Sequence, residues 1–172
     1  PTRNSRKMLM TEAVAESLLD SYNKIYLKAS NYLVLINQTS SAEERSSLIE
    51  EAMEVCLAGI ELNPSQPGGY ALMSIFASVK GDKETTQKYL NLGLAIPDLP
   101  DETIIAVLTS GGQSFIRLAE YEDALNLFNK ALDVDEKNVS VLESLGSLYL
   151  AQDNFESALK YLTQAIELTE DE

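Results

Sequence analysis

The sequence contains no histidine, no tryptophan and a single cysteine, Cys56. Without an imidazole, His-based acid–base catalysis and His-ligated metal centres are excluded. One thiol cannot build an internal disulfide framework, and Cys56, set in an apolar helical stripe, reads as a core residue. Positive charge is also scarce: 13 Lys and Arg stand against 27 Asp and Glu, for a formal net charge of −14. A field of that sign repels phosphate backbones and anionic lipid, so neither nucleic acid nor a membrane surface is an expected partner. No apolar run reaches membrane-spanning length, and Met8-Leu9-Met10 stops at Thr11-Glu12, too soon for a signal-peptide core. The expected location is the cytoplasm. With Pro1 where an initiator methionine would stand, a piece of a longer protein is as compatible as a whole one.

The chain does have the means to fold. Its 45% hydrophobic content is that of a globular protein, and a chain of this length buries about 70% of its unfolded surface. Its second half then says nearly the same thing twice. Gly112/Gly146, Ala124/Ala158 and Ala131/Ala165 are each 34 residues apart. Val107/Val141, Leu108/Leu142, Ser110/Ser144, Phe115/Tyr149, Tyr121/Phe155, Leu125/Leu159 and Phe128/Leu162 keep the same spacing. An ungapped recurrence of this density is an internal repeat.

Each copy is written as two helices. Leu142, Leu145, Gly146 and Tyr149 fall on one face, three or four residues apart, and Asn138 is placed to cap that helix. After Gln152-Asp153-Asn154, the residues Phe155, Ala158, Leu159, Leu162, Ala165 and Ile166 form a second stripe, with Asp153 and Glu156 spaced as a capping box. Gly146 and Ala158 let the two helices approach, while Tyr149 and Phe155 are expected to fill the wedge between neighbours. Gly111, at the position of Leu145, predicts a soft point, since helical glycine costs about 1 kcal/mol relative to alanine.

The first half carries fainter copies. A long helix is predicted over about Met10–Ile36, with Val14, Leu18, Tyr22, Ile25, Leu33 and Ile36 on its buried face. Ser41 and Glu44 open a second helix, which ends at Asn63-Pro64. In it, Ala52 and Gly59 occupy the positions of Ala158 and Ala165. Tyr70, Met73, Ser74 and Ala77 then stand for Leu142, Leu145, Gly146 and Tyr149. Beyond the turn at Gly81-Asp82, Thr86, Leu90 and Gly93 stand for Ala158, Leu162 and Ala165. Pro97 to Glu102 is an expanded connection. Two glycosylation-type triplets, at Asn37 and Asn138, read as chance matches.

This pattern resembles the tetratricopeptide repeat (TPR), a helix–turn–helix unit that stacks into a solenoid. The resemblance implies an all-α, right-handed superhelix of about seven helices. It divides the chain into a flexible tail (1–9) and one repeat domain (10–172). The domain comprises a degenerate first unit (about 10–64) and pairs at 65–98, 101–136 and 138–168. In such proteins the first helix of each pair lines a concave face that holds a peptide or helix of another protein. Mapped here, that face is Ala71, Ile75 and Ser78, then Thr109, Gln113, Ile116 and Arg117, then Glu143, Ser147 and Leu150. Arg117 and Glu143 would orient the partner, with Ile75 and Leu150 supplying apolar contact; Ile116 and Leu150 fit inter-repeat packing equally well. The clamp with which one subclass grips acidic chaperone tails is absent. Its asparagine position holds Ile75, Gln113 or Ser147, and its lysine position Ala71, Thr109 or Glu143.

No chemistry competes with this reading. Asp133 to Asn138 has the start of a calcium loop, but asparagine takes the place of its glycine and Ser144 that of its bidentate glutamate. Gly68-Gly69 and Gly111-Gly112 lack a phosphate-loop fingerprint. Neither a metal nor a cofactor is expected, and the chain reads as a non-enzyme. The leading expectation is an adaptor. A bacterial secretion chaperone of the TPR type, holding a translocator protein, and a regulatory domain cut from a larger protein are the alternatives. The apolar stripe of the last helix further predicts either self-association through that end or a following helix that covers it.

Overall fold

The computed structural model describes residues 3–170, with side-chain surroundings from Val14 onward. Those residues form eight helices and no strand, one helix more than expected. They are α1 (Arg3–Gln38), α2 (Ala42–Leu62), α3 (Pro67–Lys80), α4 (Lys83–Leu94), α5 (Asp101–Arg117), α6 (Tyr121–Val134), α7 (Val139–Ala151) and α8 (Phe155–Glu170). They pair in order as α1/α2, α3/α4, α5/α6 and α7/α8. The first helices touch in succession, α1 to α3 to α5 to α7, and each second helix touches the first helix of the next pair. Successive pairs therefore stack as a solenoid with α1, α3, α5 and α7 along one side. The start of α1 at Arg3 lies inside the stretch 1–9 read as a tail; Pro1 and Thr2 are outside the described residues.

Local chemistry sets the helix ends. Ser41 Oγ accepts the Glu44 N–H at 3.3 Å, while the Glu44 carboxylate accepts from Thr39 Oγ1 at 2.7 Å. Asp82 caps α4 by accepting the Thr85 N–H at 2.9 Å, which holds its carboxyl below the ordinary carboxylate value. Asn138 caps α7 through Val141. Gly81 ends α3 with φ +83°, a left-handed turn that suits glycine. The cap of α8 departs from expectation. Asp153 itself has φ +56°, so the chain turns there, and Asn154 Oδ1 accepts the Ser157 N–H one residue later than predicted.

Small residues hold the pairs together at equivalent places. Ala52, Thr86, Ala124 and Ala158 are all buried, as are Gly59, Gly93, Ala131 and Ala165. A Cβ at Gly146 would lie 2.6 Å from Leu162, and one at Gly112 would run into the Phe128 ring. Where threonine replaces the alanine, its hydroxyl is satisfied: Thr86 Oγ1 donates to Asp82 O, and Ser74 Oγ donates to Thr86 O. A Cβ at Gly111 would lie 2.7 Å from Leu90, so the glycine lets that side chain pack against α5.

The ends of the stack break the predicted stripes. Val14 and Leu18 are exposed, and the buried face of α1 runs instead from Tyr22 through Ala29 to Ile36. The reason is length. Helix α1 has 36 residues and α2 has 21, about 54 and 32 Å, so α2 covers only the later part. Phe155 is 66% exposed and fills no wedge. Its counterpart Tyr121 packs against the core of the α5/α6 region, whereas among the described residues nothing stacks beyond α8.

Candidate functional site: a two-part groove on the α1, α3 and α5 side

Two adjoining cavities lie between α1, α3 and α5. The first, of about 480 Å³, is lined mainly by Tyr26, Ala71, Leu72, Ile75, Ala106 and Val107, with Glu102 at its edge. Tyr22 ties α1 to the start of α3: its phenol accepts the Gly69 N–H at 2.9 Å, and burial raises its pKa. The second cavity, of about 500 Å³, shares Ile75 and Ser110 with the first and adds Leu33, Asn37, Arg45, Gln113 and Arg117. One half of the groove is thus apolar and the other is polar and cationic.

The predicted residues divide by helix. Ala71 and Ile75 line the apolar half; Ile75, Gln113 and Arg117 line the cationic half. Ser78 and Thr109 are buried rather than presented to a ligand, at 3% and 8% exposure. Ser78 accepts from Arg117 Nη1 at 2.9 Å and donates to Ile75 O. Thr109 Oγ1 has no hydrogen-bond partner. Ile116 is half-buried and packs against the core. Glu143, Ser147 and Leu150 are exposed on α7 and line neither cavity. Arg117 and Glu143 do not line one cavity, and Arg117 reaches toward Ser78 on α3. Gln113 is the link to α7, donating to Ser144 Oγ at 3.3 Å.

The sequence reading missed Tyr26, Leu33, Asn37 and Arg45, as well as Leu72, Ala106 and Val107 on α3 and α5. The first four belong to α1 or the first turns of α2, where the repeat pattern is displaced and residue-by-residue mapping has no register. A signal existed, since Arg45 and Arg117 are the only arginines after Arg6. Although Arg117 as a residue is exposed, burial lowers the pKa of its guanidinium below the ordinary value.

Residues 116–172 match the family model described as tetratricopeptide repeat. The sequence has no match among curated proteins. Solved structures of similar fold include MamA, with a TM-score of 0.56 at 14% identity, over 93% of this chain and 85% of that one. The MamA MSR-1 C2 structure gives 0.54 at 16% identity, over 90% and 95%. A chain from the APC/C hetero-tetramer Cut9–Hcn1 gives 0.57 at 19% identity, over 82% of this chain and 27% of that one. At these identities the likeness is one of fold.

Proposed function

For this chain, a tetratricopeptide-repeat protein in fold and, over residues 116–172, in sequence, we propose the role of a non-catalytic scaffold. It holds a peptide or helix of a partner protein in the groove between α1, α3 and α5, and so helps to assemble a complex. The observation that carries this reading is the apolar cavity around Tyr26, Ala71 and Ile75. It is open, lies on the side where the first helices follow one another, and continues into a polar half that can orient what the apolar half holds. Burial contributes on the order of 25 cal/mol per Å² of apolar surface, so a few such residues outweigh a partly solvated charge. A cytoplasmic setting accords with the single buried, unpaired thiol; among the described residues no helix is long and apolar enough to cross a membrane.

Affinity capture with the native full-length chain, read by mass spectrometry, tests the role. Ile75→Asp should abolish capture of the partner while the circular dichroism spectrum is unchanged. Leu150→Asp separates two extents of the groove: retained capture confines it to α1, α3 and α5, and loss extends it along α7. A partner held equally well by Ile75→Asp would overturn the assignment.

A second copy of the chain is also a proposed partner. On α8, Phe155, Leu159 and Ile166 are 66, 68 and 57% exposed, an unpaired apolar stripe that self-association would cover.

A further inference from the structure

The sequence has four arginines, and the two beyond the first turns of α1, Arg45 and Arg117, both line the cationic half of the groove. They come from distant elements. Arg45 lies in the first turns of α2 and donates through Nε and Nη2 to Ile36 O, in the last turn of α1. Arg117 is the last residue of α5 and donates through Nη1 to Ser78 Oγ on α3. Among the described residues, the acids in ion pairs are taken by Lys24, Lys80 and Lys83. Among the described residues neither arginine has a carboxylate partner, and no acid lines this cavity. In a chain of net charge −14, two guanidinium groups sharing a cavity without a counter-charge require an explanation.

From this arrangement we propose that Arg45 and Arg117 form a carboxylate-binding subsite, which receives an acidic group of the peptide whose apolar side chains occupy the neighbouring cavity. The proposal rests on the groove reading and adds the partner's chemistry to it. Both groups keep N–H donors beyond those already used, and guanidinium forks match a carboxylate's two oxygens. Asn37 and Gln113 line the same space and offer further amide donors.

The charge balance selects a carboxylate over a phosphate. The C-terminal ends of α1, α3 and α5 and the N-terminal end of α2 lie beside the two arginines; at about half a charge each, negative for the first three and positive for the last, they sum to about −1. They offset part of two full positive charges and leave on the order of one. A carboxylate matches that remainder, whereas a phosphate monoester near −2 exceeds it and also meets the repulsion of the chain as a whole. The site differs from the clamp positions absent from the sequence: Arg45 is on a second helix, and Arg117 lies four residues beyond Gln113.

The experiment uses the arginine Nε–H signals of the full-length chain in nuclear magnetic resonance, with Arg3 and Arg6 as internal controls. Acetate, titrated against chloride at constant ionic strength, should shift the Arg45 and Arg117 signals together and saturably while leaving the controls in place. Arg45→Gln should weaken the response of Arg117, and Arg117→Gln that of Arg45, by about tenfold, as for loss of one charge-assisted bond. Equal drift of all four signals, or none, would overturn the site. So would methyl phosphate binding more tightly than acetate.

Two dipeptides distinguish the carboxylate's source, both bearing the subsite out if they bind through the arginines. N-acetyl-Leu-Leu offers a chain terminus, and N-acetyl-Leu-Glu-amide a side chain; the tighter binder identifies which one the site takes. N-acetyl-Leu-Leu-amide reads the apolar cavity alone. Its binding, lost in Ile75→Asp, without an acetate response leaves the groove standing and sinks the arginine subsite. An acetate response without binding of the amide sinks the groove and keeps the anion site.

Discussion

At the scale of single residues, Thr109 and Cys56 show how burial redirects a side chain. The repeat pattern assigns Thr109 to the partner face, yet the hydroxyl is buried with no hydrogen-bond partner. An unsatisfied buried hydroxyl costs about 1–3 kcal/mol, and valine has nearly the same shape. Thr109→Val should therefore be as stable as the parent or about 1 kcal/mol more stable, measured by the denaturation midpoint, with partner capture unchanged. A clear loss of stability would mean that the hydroxyl is satisfied in solution. Cys56 is 1% exposed, and burial pushes its thiol up to about 12 from an ordinary value of 9. Above pH 9 the unfolded chain releases this proton while the folded chain retains it. The associated stability is complete below pH 9 and falls as pH rises toward 12. Tyr22, also raised by burial, acts in the same direction above its ordinary value of 10. Denaturation across that alkaline window should show the decline, with a shallower slope in Cys56→Ala.

At the scale of the helix pair, the small residues determine how closely the helices approach. Ala124 and Ala158 are 0% and 1% exposed, at equivalent places in α6 and α8. Leucine at either should overpack the contact and cost roughly 1–3 kcal/mol, read by thermal or chemical denaturation. Leucine variants as stable as the parent would remove the close contact from the account. Most of these pairs were legible in advance, because a helix's limits depend on nearby residues: Ser41, Gly81, Asp82 and Asn138 all act within a turn. The α8 cap was misplaced by one residue because Asp153 and Asn154 have similar cap chemistry, and only the left-handed backbone at Asp153 decides between them.

For the whole molecule, the first and last helices carry most of the exposed large apolar side chains, among them Val14, Leu18, Leu19 and Leu27 on α1, and Phe155, Leu159 and Ile166 on α8. Sedimentation should reveal association that grows with concentration and disappears in Leu159→Asp, which leaves the buried Ala158 and Ala165 untouched. A parent chain monomeric at high concentration would count against self-association through α8.

By itself the sequence determined the repeat, its all-α character, the pairing of successive helices and the small residues where they meet. Those features recur within a few tens of residues, and hydrophobic spacing, caps and glycines express them directly. The tertiary structure alone decided which parts of each stripe are covered and which cations share a cavity. Arg45 and Arg117 are 72 positions apart, and Arg45 lies where the expanded loop of the first unit erases the register. Their meeting depends on how α1, α3 and α5 stack, a long-range packing geometry that no local pattern records.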